Sequence, residues 1–151
     1  MADAFAAFEA KWLQRLREGA KVAFQHGPVS QDQLVHHAIA DAFVETHGLK
    51  PIGFNWELLD AGSDMQAPRA ALSEISSAFA NTISNSNREW LGMKVGEQIA
   101  HDFLALFDSL TRTVVSNRYD GLWNPISGAA VEWGFVGFDD KRIALLLIVQ
   151  D

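Results

Sequence analysis

His37, Asp41 and Glu45 recur at every fourth residue, so on a helix their side chains share one stripe. Imidazole together with carboxylates is a donor set for a divalent cation. One helix cannot complete such a site. Metal centres in helical bundles combine Glu-x-x-His pairs from two helices with further carboxylates, and that spacing occurs nowhere in the chain. The stripe also borders an apolar face of Leu34, Val35, Ile39 and Phe43, where half-exposed polar groups are ordinary. No metal and no cofactor are assigned on these residues.

Glu97 and His101 form a second constellation, four residues apart, in which a carboxylate could orient an imidazole as a general base. They share the polar face of their helix with Asp108 and Arg112, which are spaced for an ion pair of their own, so surface stabilisation of a helix accounts for all four. Nucleophile elbows, phosphate-cradling glycine loops, dinucleotide-binding turns and zinc-protease helices are all missing from the chain. No catalytic residue is assigned, and a binding role is expected ahead of an enzymatic one.

Charge gives the next clue. The formal net charge is −7 and the pI near 5.1. Nucleic-acid binding is not expected, because neutralising phosphates needs clustered Lys and Arg. Between Phe24 and Gln66 six carboxylates (Asp32, Asp41, Glu45, Glu57, Asp60 and Asp64) face a single lysine, Lys50. A basic or neutral protein partner would be steered there first. Trp56 and Trp123 sit beside acids in loop-like stretches. An indole in that setting either pins its loop to the core or serves as a binding anchor. Asp41, Glu45, Trp56, Glu57, Asp60 and Asp64 are therefore the candidate partner-binding residues.

At 151 residues with 48% apolar side chains, the chain fits one domain spanning residues 1–151. Cysteine is absent, which removes disulfides, thiol nucleophiles and cysteine-ligated metals. The first residues carry acid where a signal peptide needs a positive start, and no apolar run approaches a membrane span. A cytoplasmic location is the corresponding expectation.

Which elements position these residues follows from periodicity. Phe5, Phe8, Trp12 and Leu16 predict a first helix over about 2–18, stopped or bent at Gly19. Ser30 and Gln33 make a capping-box signature for a second, reaching His47. The alternation Ile52, Phe54, Trp56, Leu58 fits a strand within a connector. A third helix is expected from Pro68 to about Ser84, and its small residues suit either close helix packing or an interface. The fourth is expected from Lys94 or Val95 to about Ser116, with Ile99, Phe103, Leu106, Phe107, Leu110 and Val114 on its apolar face.

The end of the chain reads differently. Val131 to Phe135, a turn at Asp139 to Arg142, and the run Ile143 to Val149 predict a β-hairpin whose second strand is apolar on both faces. A homo-oligomer could form through the third helix or through the last strand, and for the strand its placement at the centre or the edge of the sheet decides this. The fold expected is α+β: about four helices packed on one face of a small antiparallel sheet that contains the hairpin. Small, acidic, cysteine-free and without a catalytic motif, the chain resembles in type the immunity proteins that neutralise bacterial toxins. That resemblance implies a non-catalytic inhibitor of a basic protein. The rival expectation is a small-ligand binder or enzyme with a His/carboxylate pocket between helices and hairpin, using His37 or His101.

Overall fold

The computed structural model describes residues 3–29, 35–61, 67–119 and 122–150. Its centre is strand β9 (Arg142–Val149), whose alternate side chains enter two separate cores: Ala144, Leu146 and Ile148 on one side, Ile143, Leu145 and Leu147 on the other. A strand without a polar face must lie inside a sheet that is covered on both sides. β9 pairs antiparallel with β1 (Lys21–Pro28) and with β8 (Glu132–Phe138). Adding β5 (Thr113–Ser116) and β2 (Glu57–Ala61) gives the order β1-β9-β8-β5-β2. The last strand is thus central. With β1 and β8 hydrogen-bonded on its two sides, it leaves no edge for a second copy; among the described residues the sheet ends in β1 and β2.

Three helices cover one face and one helix covers the other, which corrects the expectation of four on a single face. Helices α1 (Ala4–Arg17), α3 (Ala67–Ala80) and α4 (Met93–Leu104) pack over the core that holds Phe8, Phe24, Phe79, Phe103 and Phe135. Helix α2 (His36–Thr46) lies on the opposite face with Trp56, Val136, Phe138 and Leu145. The start of α1 is set by Asp3, whose side chain accepts from the Phe5 backbone N–H at 3.0 Å. Gly19 ends it where the Trp90 indole passes so close that a Cβ would meet its Nε1 at 2.3 Å. The strand that follows, β1, answers the alternation of Val22 and Phe24 into the core.

The fourth helix ends at Leu104 and not near Ser116. Asp108 turns the chain: its side chain accepts from Leu110 N at 3.0 Å, and its own N–H reaches the Asp139 carboxylate at 3.0 Å. The β-branched run Thr113-Val114-Val115 then enters the sheet as β5, while Leu110 is left 81% exposed. The third helix likewise stops at Ala80. A short hairpin of β3 (Asn81–Thr82) and β4 (Asn85–Glu89) replaces its expected last turn. Ile52 to Leu58 is not one strand: a 3₁₀ turn at Gly53–Asn55 precedes β2, which widens the sheet by pairing with β5. A further small hairpin, β6 (Arg118–Tyr119) and β7 (Leu122–Trp123), precedes β8. The Ser30–Gln33 capping signature lies outside the described residues.

The small residues of α3 allow close approach of backbones. A Cβ on Gly96 of α4 would stand 2.4 Å from the Ser76 carbonyl oxygen and 3.3 Å from the Ala80 nitrogen. Helix propensity alone favours Gly96→Ala by about 1 kcal/mol. The obstacle is backbone, which cannot swing aside, so an overpacking cost of about 1–3 kcal/mol outweighs that gain. Gly96→Ala is expected to lower the urea midpoint of unfolding, and Gly96→Val to lower it further.

Candidate functional site

Of the His37, Asp41, Glu45 stripe, the first two engage the connector, and Asp41 straps it to the helix. Asp41 accepts from the backbone N–H of Ile52 at 2.9 Å and of Gly53 at 3.0 Å, and from the Trp56 indole N–H at 2.7 Å. It caps the 3₁₀ turn from another element, since Ile52, the turn's own first flanking residue, has no side-chain cap. One turn earlier the His37 ring lies 4.4 Å from that of Phe54. Among the described residues no group of three or more His, Cys, Asp or Glu side chains is placed to hold a metal.

The structure divides the six residues expected to meet a partner. Trp56 and Asp60 are buried, at 2% and 0% exposure, so neither presents itself to a docking protein. Trp56 fills the α2-side core, and Asp60 forms a buried ion pair with Arg112, which also donates to the Leu104 carbonyl at the end of α4. The Asp108–Arg112 surface pair expected from their spacing does not form. Asp41 is committed to the connector. Glu57 is half-buried on the α3 side of the sheet, Glu45 is exposed on α2, and Asp64 lies outside the described residues. Closeness along the chain did not become closeness on one surface. Glu97 and His101 are exposed on α4, and the neighbouring Asp102 binds Lys11 and the Trp12 indole, each at 2.8 Å.

What sequence reasoning missed is the apolar surface beside α2. Val35, Phe54 and Leu58 are 50%, 82% and 43% exposed, and all three line one open cleft of about 540 Å³ between the start of α2 and β2. His36 and His37 complete its wall. Burial, reinforced by the neighbouring His37, lowers the pKa of His36, which favours its uncharged form. Among the described residues no lysine or arginine lines it. A second cleft of about 440 Å³ lies between α2 and the β1–β9 edge, and Ile39 lines both. Among the described residues its lining includes His47 and the β1 position of His26, whose ring packs on the opposite face against Phe5 and Phe24, and no carboxylate.

Two polar clusters elsewhere hold the fold. Glu132, fully buried, accepts from the N–H of Ile126 at 2.9 Å, the N–H of Ser127 at 3.0 Å and the side-chain amide of Asn117 at 3.1 Å, fixing the loop that leads into β8. Arg118 lies against both Trp123 and Trp133, at 4.7 and 5.1 Å from the ring centres, and the two indoles meet edge to face. Trp123 thereby pins its loop. Near this arginine, Glu74 of α3 has its pKa raised by burial and then by the charge of Glu57, with partial relief from Arg118.

No protein-family model, no curated protein and no solved structure matches the chain.

Asp41→Ala leaves two backbone N–H groups and one indole N–H without their acceptor, and is expected to cost about 1–3 kcal/mol in denaturant unfolding, with a shift in tryptophan emission. Glu74 titrates in the opposite sense from a paired carboxylate. Its charged form is disfavoured in the folded state, so its contribution to stability is fullest below its ordinary pKa of 4.5 and declines as pH rises through the raised value. Glu74→Gln is therefore expected to raise the melting temperature at pH 7 and to have little effect below about pH 4.

Proposed function

We propose that the protein is a non-catalytic binding protein that engages a basic protein partner, in the manner of an inhibitor or immunity protein, through the apolar cleft beside α2. The observation that carries this reading is the grouping of Val35, Phe54 and Leu58 around one cleft at the free β2 edge of the sheet. Scattered exposed hydrophobics are normal on any surface, but several around one concavity mark a contact site. Phe54 is the natural anchor. It is 82% exposed, yet its ring packs on His37 and the two backbone N–H groups just before it, of Ile52 and Gly53, are held by Asp41, so little freedom is lost on binding.

Charge selects the partner class. The chain carries −7 overall, Glu45 stands exposed on the same helix, and among the described residues no cationic side chain lines the cleft to repel an approaching basic surface. The acids supply a long-range field and the apolar residues the contact. This differs from a dock built of six acidic and aromatic neighbours, since Trp56 and Asp60 belong to the interior.

The test is affinity capture from lysate of the native organism with four forms of the protein: wild type, Phe54→Asp, Leu58→Asp and, as a control at an exposed leucine elsewhere, Leu110→Asp. The three substitutions are expected to change stability by less than about 0.5 kcal/mol, because each side chain is solvent-facing. A stoichiometric basic protein retained by wild type and Leu110→Asp, absent with Phe54→Asp and released by high salt supports the reading. Equal retention by Phe54→Asp overturns it.

A further inference from the structure

The geometry points to a second site: the cleft between α2 and the β1–β9 edge binds a small apolar molecule, aromatic or branched aliphatic, that carries one polar end. Its existence traces to Gly27. In the sheet register Gly27 stands opposite Ile143, and a Cβ placed on it would meet no heavy atom within 4 Å. A void therefore lies directly over a strand position, where a side chain would ordinarily fill the space between sheet and helix. The volume of about 440 Å³ falls within the range of small-molecule pockets and well above what one water needs.

The lining gives the chemical class. Ile143 forms the floor, Ile39, Ala42 and Phe43 of α2 the roof, and Pro28 and Val29 one end. Among the described residues only two polar side chains face the cleft, and one is already engaged: the Thr46 hydroxyl donates to the Phe43 carbonyl at 2.6 Å. The His26 ring lies on the other face of β1, stacked on Phe5 and accepting from the Arg142 guanidinium at 2.9 Å. The second polar side chain is His47, whose ring stands edge-on to Phe43 at 4.7 Å on the exposed rim. An occupant would lay its apolar body against Phe43 and Ile143 and turn a hydroxyl or similar group to the His47 imidazole. A fully apolar body with one polar contact is the usual composition of such pockets.

This site does not depend on the protein-binding surface, and the test separates them. Amide shifts in ¹H–¹⁵N spectra are followed during titration with 4-methylphenol and, in parallel, with toluene. Saturable shifts centred on Gly27, Phe43 and His47 are expected with both. His47→Ala should weaken 4-methylphenol by about five-fold, the loss of one hydrogen bond, and leave toluene unchanged. Gly27→Leu fills the void from the strand and Ala42→Leu from the helix. Each should abolish binding of both probes while the melting temperature holds or rises, since a glycine in a strand and an open gap are both unfavourable. Capture of a partner through Phe54 should survive Gly27→Leu. Shifts that do not saturate, shifts centred elsewhere, or a folded Gly27→Leu and a folded Ala42→Leu that bind the probes as wild type does would overturn the inference.

Discussion

A strand that is apolar on both faces governs this molecule. If the α2 side of β9 were left in water, Ile143, Leu145 and Leu147, which are all but fully buried, would forfeit roughly 5–9 kcal/mol at about 1.5–3 kcal/mol each. That is comparable with the whole stability of an ordinary domain, about 5–15 kcal/mol. Both faces must therefore be covered, and the remaining elements are arranged to do so. Central placement of β9, with β1 and β8 on its two sides, satisfies its backbone along its length.

The two faces are not covered equally. Five strands make a surface about 20 Å across, whereas one helix with its side chains is about 10 Å wide. Three helices suffice for one face. On the other, α2 covers about half the width, and its 11 residues run about 16 Å beside strands of about 27 Å. Residues 49–56 and the loop around Ile126 cover part of what remains, joined where the Lys50 N–H donates to the Ile126 carbonyl at 2.8 Å. The Asp41 strap is what keeps that connector seated. Both clefts open on this thinly covered face, one on each side of Ile39.

How much of this could be read from residues alone depends on how local the deciding interaction is. The hairpin, the first helix and the turn at Asp139 were legible because their signals are contiguous: an alternating or periodic apolar pattern, and an Asp that accepts from the N–H of Lys141 and Arg142 just beyond it. β5 was misread because Val114 falls in helical phase with Phe103 and Phe107, although the β-branched neighbours Thr113 and Val115 argued for a strand. β1 was missed since Gly19 and the polar stretch from Gln25 to Pro28 mask the inward pair Val22 and Phe24. The fate of the acids was beyond reach. Asp60 is internal and pairs with Arg112, 52 residues later, and no count of charge along the chain reveals that partner.

The same reasoning separates what charge does inside from what it does outside. Asp41, Asp60 and Glu132 each sit where a carboxylate accepts from a guanidinium or from several N–H groups, and such groups hold loops and strand ends in place. They are part of the scaffold, and the field that reaches a partner arises from the exposed remainder, with Glu45 on the cleft side of the sheet. The buried pair Asp60–Arg112 ties the second strand to the end of α4, so the free edge that borders the Phe54 cleft is anchored to the three-helix layer across the sheet. In the proposed reading, a contact surface resting on a strand fixed in that way is formed before a partner arrives, and its specificity would lie in shape and apolar area, with charge governing the rate of encounter.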